Sequence, residues 1–221
     1  MLSLYHLELL VIQCQEEAQK GLANGVYASI PKIKIDVVPP QTFLGAENNP
    51  AIFINERTYK LIGSSHKNWE KNRTIVLKKN FLKAEPMQII GTIIHETGHA
   101  FNVAAGIPNT EANAYIYEIE VINKLLETQS PLLFGCSFDD VRSFFKDRLA
   151  QYRKETRRNE YLAQLVESIQ KQFKLEDETL SSQPINTEES SFFVTMGLTF
   201  FSRKQWQKEN AIVWSKLTVG I

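Results

Sequence analysis

Two histidines and a glutamate lie close together in the run His95-Glu96-Thr97-Gly98-His99. Residues i and i+4 share one face of an α-helix, so both imidazoles can reach a single metal ion. Glu96 projects beside them, where its carboxylate can take a proton from a water molecule and pass it on. Zinc accepts imidazole ligands and lowers the pKa of a water molecule that it binds to about 7. The spacing therefore predicts a zinc site with His95 and His99 as ligands and Glu96 as the general base.

A catalytic zinc ion needs a third protein ligand. A third histidine at the offsets used by one large group of zinc enzymes is excluded, because Asn102 and Ala105 stand there. Glu111 lies at the start of the next predicted helix, and we predict it as the third ligand. Glu118 lies two turns further along the same face and is the alternative, whereas Glu120 points elsewhere. The carboxylate that does not bind the metal can orient a liganding imidazole.

Two successive helices are predicted to position these residues. The first begins near Pro86 and ends before Gly106, where the apolar periodicity stops. Asn109 or Thr110 can cap the second helix, which is predicted to run to about Glu127. Ligands from the end of one helix and the start of the next can therefore meet across a short turn.

The rest of the chain predicts an α+β fold. A helix is expected over residues 3–20. Ser137 and Asp140 resemble a capping box before a helix over residues 138–154, and residues 159–174 are predicted to form its partner helix. Short β-rich runs lie between the first helix and Pro86, at residues 33–37, 51–54, 59–62 and 74–77. We infer a small, mostly antiparallel sheet of three or four strands over the active-site helix, with a helical C-terminal lobe.

Composition divides the chain into three parts. Residues 176–191 are acidic and rich in hydroxyl groups, with almost no apolar content. We predict a catalytic domain over residues 1–178, an acidic loop or linker over 179–191, and a C-terminal segment, 192–221, to which no role is assigned.

Charge and hydropathy narrow the classes of partner. The 25 basic residues equal the 25 acidic residues, so no overall basic field is present to hold a nucleic acid. No apolar run approaches the roughly 20 residues that a helix needs to cross a bilayer. The N-terminal stretch fails as a secretory signal. We therefore expect a protein of the cytoplasm, or one that is exported into a host cell without such a signal.

The motif at residues 95–99, together with the segment 110–114, resembles the zincin metallopeptidases in their glutamate-ligand branch. The resemblance implies a zincin-like fold, in which the edge strand of a sheet binds extended substrate above the motif helix. It also implies hydrolysis of peptide bonds, and endopeptidase action is favoured because no motif anchors a terminal amine or carboxylate. The position of the motif further resembles exported bacterial effector proteases, which implies a host protein such as actin as the substrate.

The alternative interpretation is a non-catalytic zinc-binding or sensing module that keeps the helix pair. Three more residues are candidates to stabilise an oxyanion: His66 in a polar loop, and Tyr115 and Tyr117 on the second helix. A loop position for His66 and core positions for the tyrosines are the more typical interpretations.

One basic cluster stands out, formed by Lys154, Arg157 and Arg158 with Arg148 and Arg153 nearby. Its ordinary interpretation is a solvated helix face, and its sharper interpretation is a docking surface for an acidic protein partner.

Overall fold

The computed structural model describes residues 2–43, 48–63 and 66–175. The residues up to Leu175 form one compact unit, and the predicted linker 179–191 and segment 192–221 lie outside the described residues. In chain order the elements are α1 (Leu4–Lys20), β1 (Lys34–Val38), β2 (Ala51–Phe53), α2 (Glu56–Leu61), β3 (Thr74–Lys78), α3 (Pro86–Ala104), α4 (Glu111–Glu127), α5 (Phe138–Thr156) and α6 (Glu160–Phe173). The predicted α+β class is confirmed.

The described strands form one mixed sheet in the order β1-β3-β2. β1 pairs with β3 in parallel, with Lys34 opposite Thr74, and β2 pairs with β3 antiparallel, with Ala51 opposite Leu77. The prediction of a mostly antiparallel sheet is therefore wrong. A parallel pair needs a long crossover connection, and β2 and α2 lie within the connection between β1 and β3. The alternation of apolar residues marks a strand but does not encode its direction.

The predicted strand at residues 59–62 is also wrong, because this stretch lies largely in α2. Asn55 caps the helix: its side-chain oxygen accepts hydrogen bonds from the N–H groups of Arg57 (2.9 Å) and Thr58 (3.0 Å). The N–H of Asn55 in turn donates to the Thr58 hydroxyl at 2.7 Å. This capping box satisfies the first-turn donors and favours a helix over the β propensity of Tyr59 and Ile62.

α3, which begins at Pro86 as predicted, is the central helix. Proline is well suited to a first helical position, where its missing N–H would have no partner anyway. α1, α4, α5 and β2 pack around α3, which therefore buries apolar residues on most of its surface. These residues include Met87, Ile89, Ile90, Ile93, Ile94, Ala100 and Phe101.

α3 and α4 approach each other closely at Gly98. A Cβ atom added to Gly98 would lie 3.0 Å from the carbonyl oxygen of Ala114 and 3.2 Å from the Cβ of Tyr117. The turn between the helices includes Gly106 at φ +67°, and the Thr110 hydroxyl caps α4. The absence of a side chain at Gly98 thus sets how near the first turn of α4 comes to the motif.

The remaining helices follow the sequence prediction. Ser137 and Asp140 form the predicted capping box of α5, and the side chain of Asn159 accepts a hydrogen bond from Leu162 N–H at the start of α6. α5 packs against α3, α4 and α6. Within the described residues, no helix combines the length and apolar character needed to cross a bilayer.

The substitution Gly98→Ala tests the close helix contact. Helix propensity alone would stabilise the protein by about 1 kcal/mol, but overpacking against a backbone carbonyl costs about 1–3 kcal/mol. We expect a net decrease in the free energy of unfolding, measured by urea denaturation. An increase would contradict the packing described for Gly98 and Ala114.

Candidate metal centre

The two imidazoles of the motif and the carboxylate of Glu111 converge. Ligand atoms of His95, His99 and Glu111 all lie within 4.8 Å of one another, and this group could hold a metal ion. Glu111 Oε2 lies 3.2 Å from His95 Nε2, and Glu111 Oε1 lies 3.5 Å from His99 Nε2. α3 supplies both histidines from one face, and Glu111 is the first residue of α4.

The donor atoms of this group are compatible with a divalent metal ion such as zinc. Two ligand atoms that each lie about 2.0–2.1 Å from a tetrahedral zinc ion are about 3.3–3.4 Å apart. One Glu111 oxygen lies 3.2 Å from His95 Nε2 and the other lies 3.5 Å from His99 Nε2, so the ligand atoms are near this spacing. Two imidazoles and one carboxylate are also a donor set found in catalytic zinc sites.

The other ring nitrogen of His95 faces Glu118. Glu118 Oε2 lies 2.9 Å from His95 Nδ1, so the carboxylate can accept the Nδ1 hydrogen and leave the Nε2 lone pair free. The two glutamates that the sequence left as alternatives are thereby distinguished. Glu111 lies at the Nε2 side of the imidazoles, and Glu118 lies behind His95.

His99 has an equivalent partner in Asn109. Asn109 Oδ1 lies 2.7 Å from His99 Nδ1 and is also contacted by Asn102 Nδ2 at 3.4 Å. A hydrogen bond from Nδ1 to this amide oxygen again leaves Nε2 free. Both rings therefore present the same nitrogen towards Glu111.

Glu96 is held by the edge strand. Its Oε2 atom accepts a hydrogen bond from Phe53 N–H at 2.6 Å, and its side chain lines the same cleft as the three candidate ligands. Burial raises the pKa of Glu96, although His99 and His95 oppose the shift. A raised pKa makes a carboxylate a stronger proton acceptor than an exposed glutamate.

The charges of the cluster depend on one another. Burial lowers the pKa of His95, but Glu111 and Glu118 raise it more, to about 9. Burial likewise lowers the pKa of His99, and Glu111 and Glu96 raise it above its ordinary value. Hydrogen bonds from His95 and His99 hold the pKa of Glu111 far below its usual range. A divalent cation must compete with the protons on these imidazoles, because only the neutral ring is a ligand.

A cleft of about 910 Å³ contains these groups. One wall is β2, the edge strand of the sheet. Ile54 N–H donates to Thr74 O and Lys78 N–H donates to Pro50 O, so the even-numbered residues of β2 pair with β3. Alternation then points the backbone N–H and C=O of Ala51 away from β3, towards the cleft.

The structure separates the candidate oxyanion donors. Tyr115 lines the cleft, with its ring 5.0 Å from that of His95. Tyr117 is fully buried and donates its hydroxyl hydrogen to Cys14 O at 2.6 Å, so it belongs to the core. His66 stacks on Trp69 with 3.7 Å between ring centroids and does not line the cleft.

Glu120 lies away from the candidate ligands, as its position on α4 predicts. One of its oxygens accepts a hydrogen bond from Ala23 N–H at 2.6 Å, and the other accepts one from the Tyr161 hydroxyl at 2.6 Å. Glu120 therefore links α4 to α6 and to the segment after α1.

The sequence interpretation missed three residues that support the site: Asn109, Arg148 and Tyr152. Arg148, which was grouped with the basic cluster, instead places its guanidinium 2.8 Å from Glu118 Oε2. Tyr152 donates a short hydrogen bond to Glu118 Oε1. Both lie on the apolar face of α5 with Phe144, Phe145 and Leu149, and this helical spacing is the signal that could have found them. Nothing local marks Asn109 as a partner of His99.

Comparisons with known proteins add no information about the site. No family model, no curated protein and no solved structure matches the chain.

Metal binding gives a direct prediction. We expect the purified protein to bind zinc, and zinc at 100 times its dissociation constant should stabilise the fold by about 2.7 kcal/mol. Replacement of His95, His99 or Glu111 by alanine removes a ligand, so the zinc affinity should fall by more than about 100-fold. Loss of a residue that only hydrogen-bonds to a ligand typically lowers metal affinity by about 10–100-fold. Elemental analysis and thermal unfolding with and without chelator measure both effects.

His66→Ala is the matched control, since His66 stacks on Trp69 outside the cleft. It should keep wild-type zinc affinity. Equal loss of zinc from this variant and from His99→Ala would contradict the assignment of the metal centre.

Proposed function

We propose that the protein is a zinc-dependent metallopeptidase of the zincin type that cleaves peptide bonds in a protein substrate. One observation carries the proposal: Glu111 oxygens lie 3.2 and 3.5 Å from the Nε2 atoms of His95 and His99. The same cleft holds the carboxylate of Glu96 and the edge strand β2. A binding site for a cation, a proton acceptor and a surface for an extended chain thus lie together.

His95, His99 and Glu111 would hold the zinc ion. When bound there, zinc would supply Lewis acidity, which polarises a carbonyl group and makes water more acidic. Glu118 and Asn109 would keep the two rings oriented through their Nδ1 atoms.

Glu96 would move the proton. Its Oε2 atom is bound by Phe53 N–H, which leaves Oε1 as the atom that takes a proton from the attacking water. The same carboxyl group then delivers that proton to the nitrogen of the leaving amine. The pKa of Glu96, raised by burial, supports both halves of this transfer.

β2 supports a peptide as the substrate. β2 is an edge strand that lines the cleft, and an extended chain can pair with the outer edge of such a strand through main-chain hydrogen bonds, although the residues of β2 are themselves buried. Endopeptidase action is favoured, since the sequence contains no recognised motif that anchors a terminal amine or carboxylate. A host protein such as actin is the first substrate to test, as the resemblance to exported effector proteases implies.

A non-catalytic zinc-binding or sensing module is the second candidate. The observation that favours it is the hydrogen bond from Phe53 N–H to Glu96, together with the burial of that side chain. A carboxylate that only bridges α3 and β2 would have the same contacts.

Glu96→Gln separates the two functions. Glutamine keeps an oxygen for Phe53 N–H but cannot accept the proton, so zinc should remain bound while kcat/KM falls by about 10²–10⁴-fold. Cleavage is measured on a panel of proteins that includes actin, and new N-termini in a cell lysate identify further substrates by mass spectrometry.

Glu127→Gln is the matched control, because Glu127 is exposed at the end of α4 and outside the cleft. It should cleave at the wild-type rate. If the zinc-loaded wild type cleaves nothing, and Glu96→Gln changes only the free energy of unfolding, the binding module is the correct function.

A further inference from the structure

We propose that Arg148 and Tyr152 are positioning residues of the metal centre, which act through Glu118 on His95. The inference rests on the proposed metal binding by His95, and it goes beyond it by assigning α5 a part in the site. Neither residue belongs to the group that could hold the ion.

Each oxygen of Glu118 has a donor from α5. The Arg148 guanidinium lies 2.8 Å from Oε2, and the Tyr152 hydroxyl donates to Oε1. Oε2 also lies 2.9 Å from His95 Nδ1. The carboxylate is thus fixed from one side by α5 and bound to the imidazole on the other.

Burial and aromatic packing restrict the side-chain conformations of Glu118, Tyr152 and Arg148. The side chains of Glu118 and Tyr152 are fully buried. The guanidinium of Arg148 lies over the rings of Tyr115 and Phe144, 5.4 Å from each centroid, and 5.9 Å from that of Tyr152. Cation–π contacts of this kind hold a guanidinium in a fixed plane.

The network decides which nitrogen His95 offers. While Glu118 accepts the Nδ1 hydrogen, Nε2 is the atom that can offer a lone pair once a cation displaces its proton, and Nε2 lies 3.2 Å from Glu111. If Glu118 were free to turn away, the ring could rotate or change tautomer, and a ligand atom would be lost for part of the time. Removing the partner of a liganding histidine typically weakens metal affinity by about 10–100-fold.

Stability alone is a poor reason for this arrangement. Buried ion pairs can often be replaced by apolar residues without loss of stability. Arg148 also leaves its buried Nε atom without a hydrogen-bond partner among the described residues. A role at His95 explains why the charged pair is present in the core.

α4 provides a matched control two residues away. Glu120 accepts a hydrogen bond from the Tyr161 hydroxyl at 2.6 Å, as Glu118 does from Tyr152. Glu120 also binds Ala23 N–H, and it does not line the cleft. Tyr152→Phe and Tyr161→Phe therefore delete the same group from two tyrosine–glutamate pairs, a fully buried pair near the site and a partly buried pair away from it.

The test measures the zinc dissociation constant by competition with a chelator, and the visible spectrum of the cobalt-substituted protein, which reports ligand geometry. Tyr152→Phe should weaken zinc binding by about tenfold or more and change the cobalt spectrum. Tyr161→Phe should leave both at wild-type values, whatever its effect on unfolding. Equal changes in the two variants, or no change in Tyr152→Phe, would overturn the proposal.

Arg148 is tested by a conservative rescue. Arg148→Met removes the cation, whereas Arg148→Lys keeps a charge that can reach Glu118, so the lysine variant should recover part of the zinc affinity. Equal zinc affinities in these two variants would overturn the role of Arg148. If Arg148→Met does not fold, the cobalt spectrum of Arg148→Lys is compared with that of the wild type, and identical spectra would overturn the role.

Failure of the wild type to cleave protein while it binds zinc would refute the proposed function but not this inference. Failure of the wild type to bind zinc would refute both.

Discussion

The contact between α3 and α4 at Gly98 and Ala114 is the constraint on which the candidate site depends. Helical geometry by itself brings His95 and His99 to one face, but the third side chain has to come from another element. Glu111 precedes Ala114 by one turn, so the distance between the helices sets the distance from its carboxylate to the imidazoles. With a backbone carbonyl 3.0 Å from the place of a Cβ atom, the helices are about as close as they can be.

Buried charge is the second constraint, because α3 passes through an apolar core. His95 and Glu96 lie on a helix that is otherwise lined with isoleucine and other apolar residues. Burying such groups is costly unless they are paired and hydrogen-bonded. Here Glu118 binds His95, Arg148 binds Glu118, and Phe53 N–H binds Glu96. The polar network is nearly complete, which keeps the imidazoles and the carboxylate in defined orientations.

Local signals predicted much of the fold. The long helices α1, α3, α4, α5 and α6 are predicted correctly because caps and periodicity are encoded within a few residues. The grouping of His95, His99 and Glu111 is predicted from signals of the same short range. The two histidines share one helix face, and one short turn separates them from Glu111. The short helix α2 departs from the prediction because the capping box at Asn55 outweighs the β propensity of the run that follows it.

Tertiary contacts account for what the sequence did not reveal. The parallel pairing of β1 with β3 depends on a long connection, and apolar alternation looks the same in either direction. Arg148 was grouped with neighbouring charges on α5, although its spacing from Phe144 and Tyr152 places it on the apolar face. Asn109 reaches His99 only because the turn folds back over the end of α3, and no short-range pattern encodes that approach.

The hydrogen bond between Phe53 and Glu96 links the sheet to the proposed chemistry. Phe53 and Ala51 are both odd-numbered residues of β2, so their backbone groups face the same free edge, about 7 Å apart along the strand. Phe53 uses its N–H group on the carboxylate of Glu96, and the next backbone groups on the outer edge of β2 are those of Ala51, a residue that is itself buried. A chain bound there would therefore lie directly beside the proton acceptor. The proposed peptide substrate would need this strand edge to be accessible, which ties the proposed function to the way β2 packs against α3.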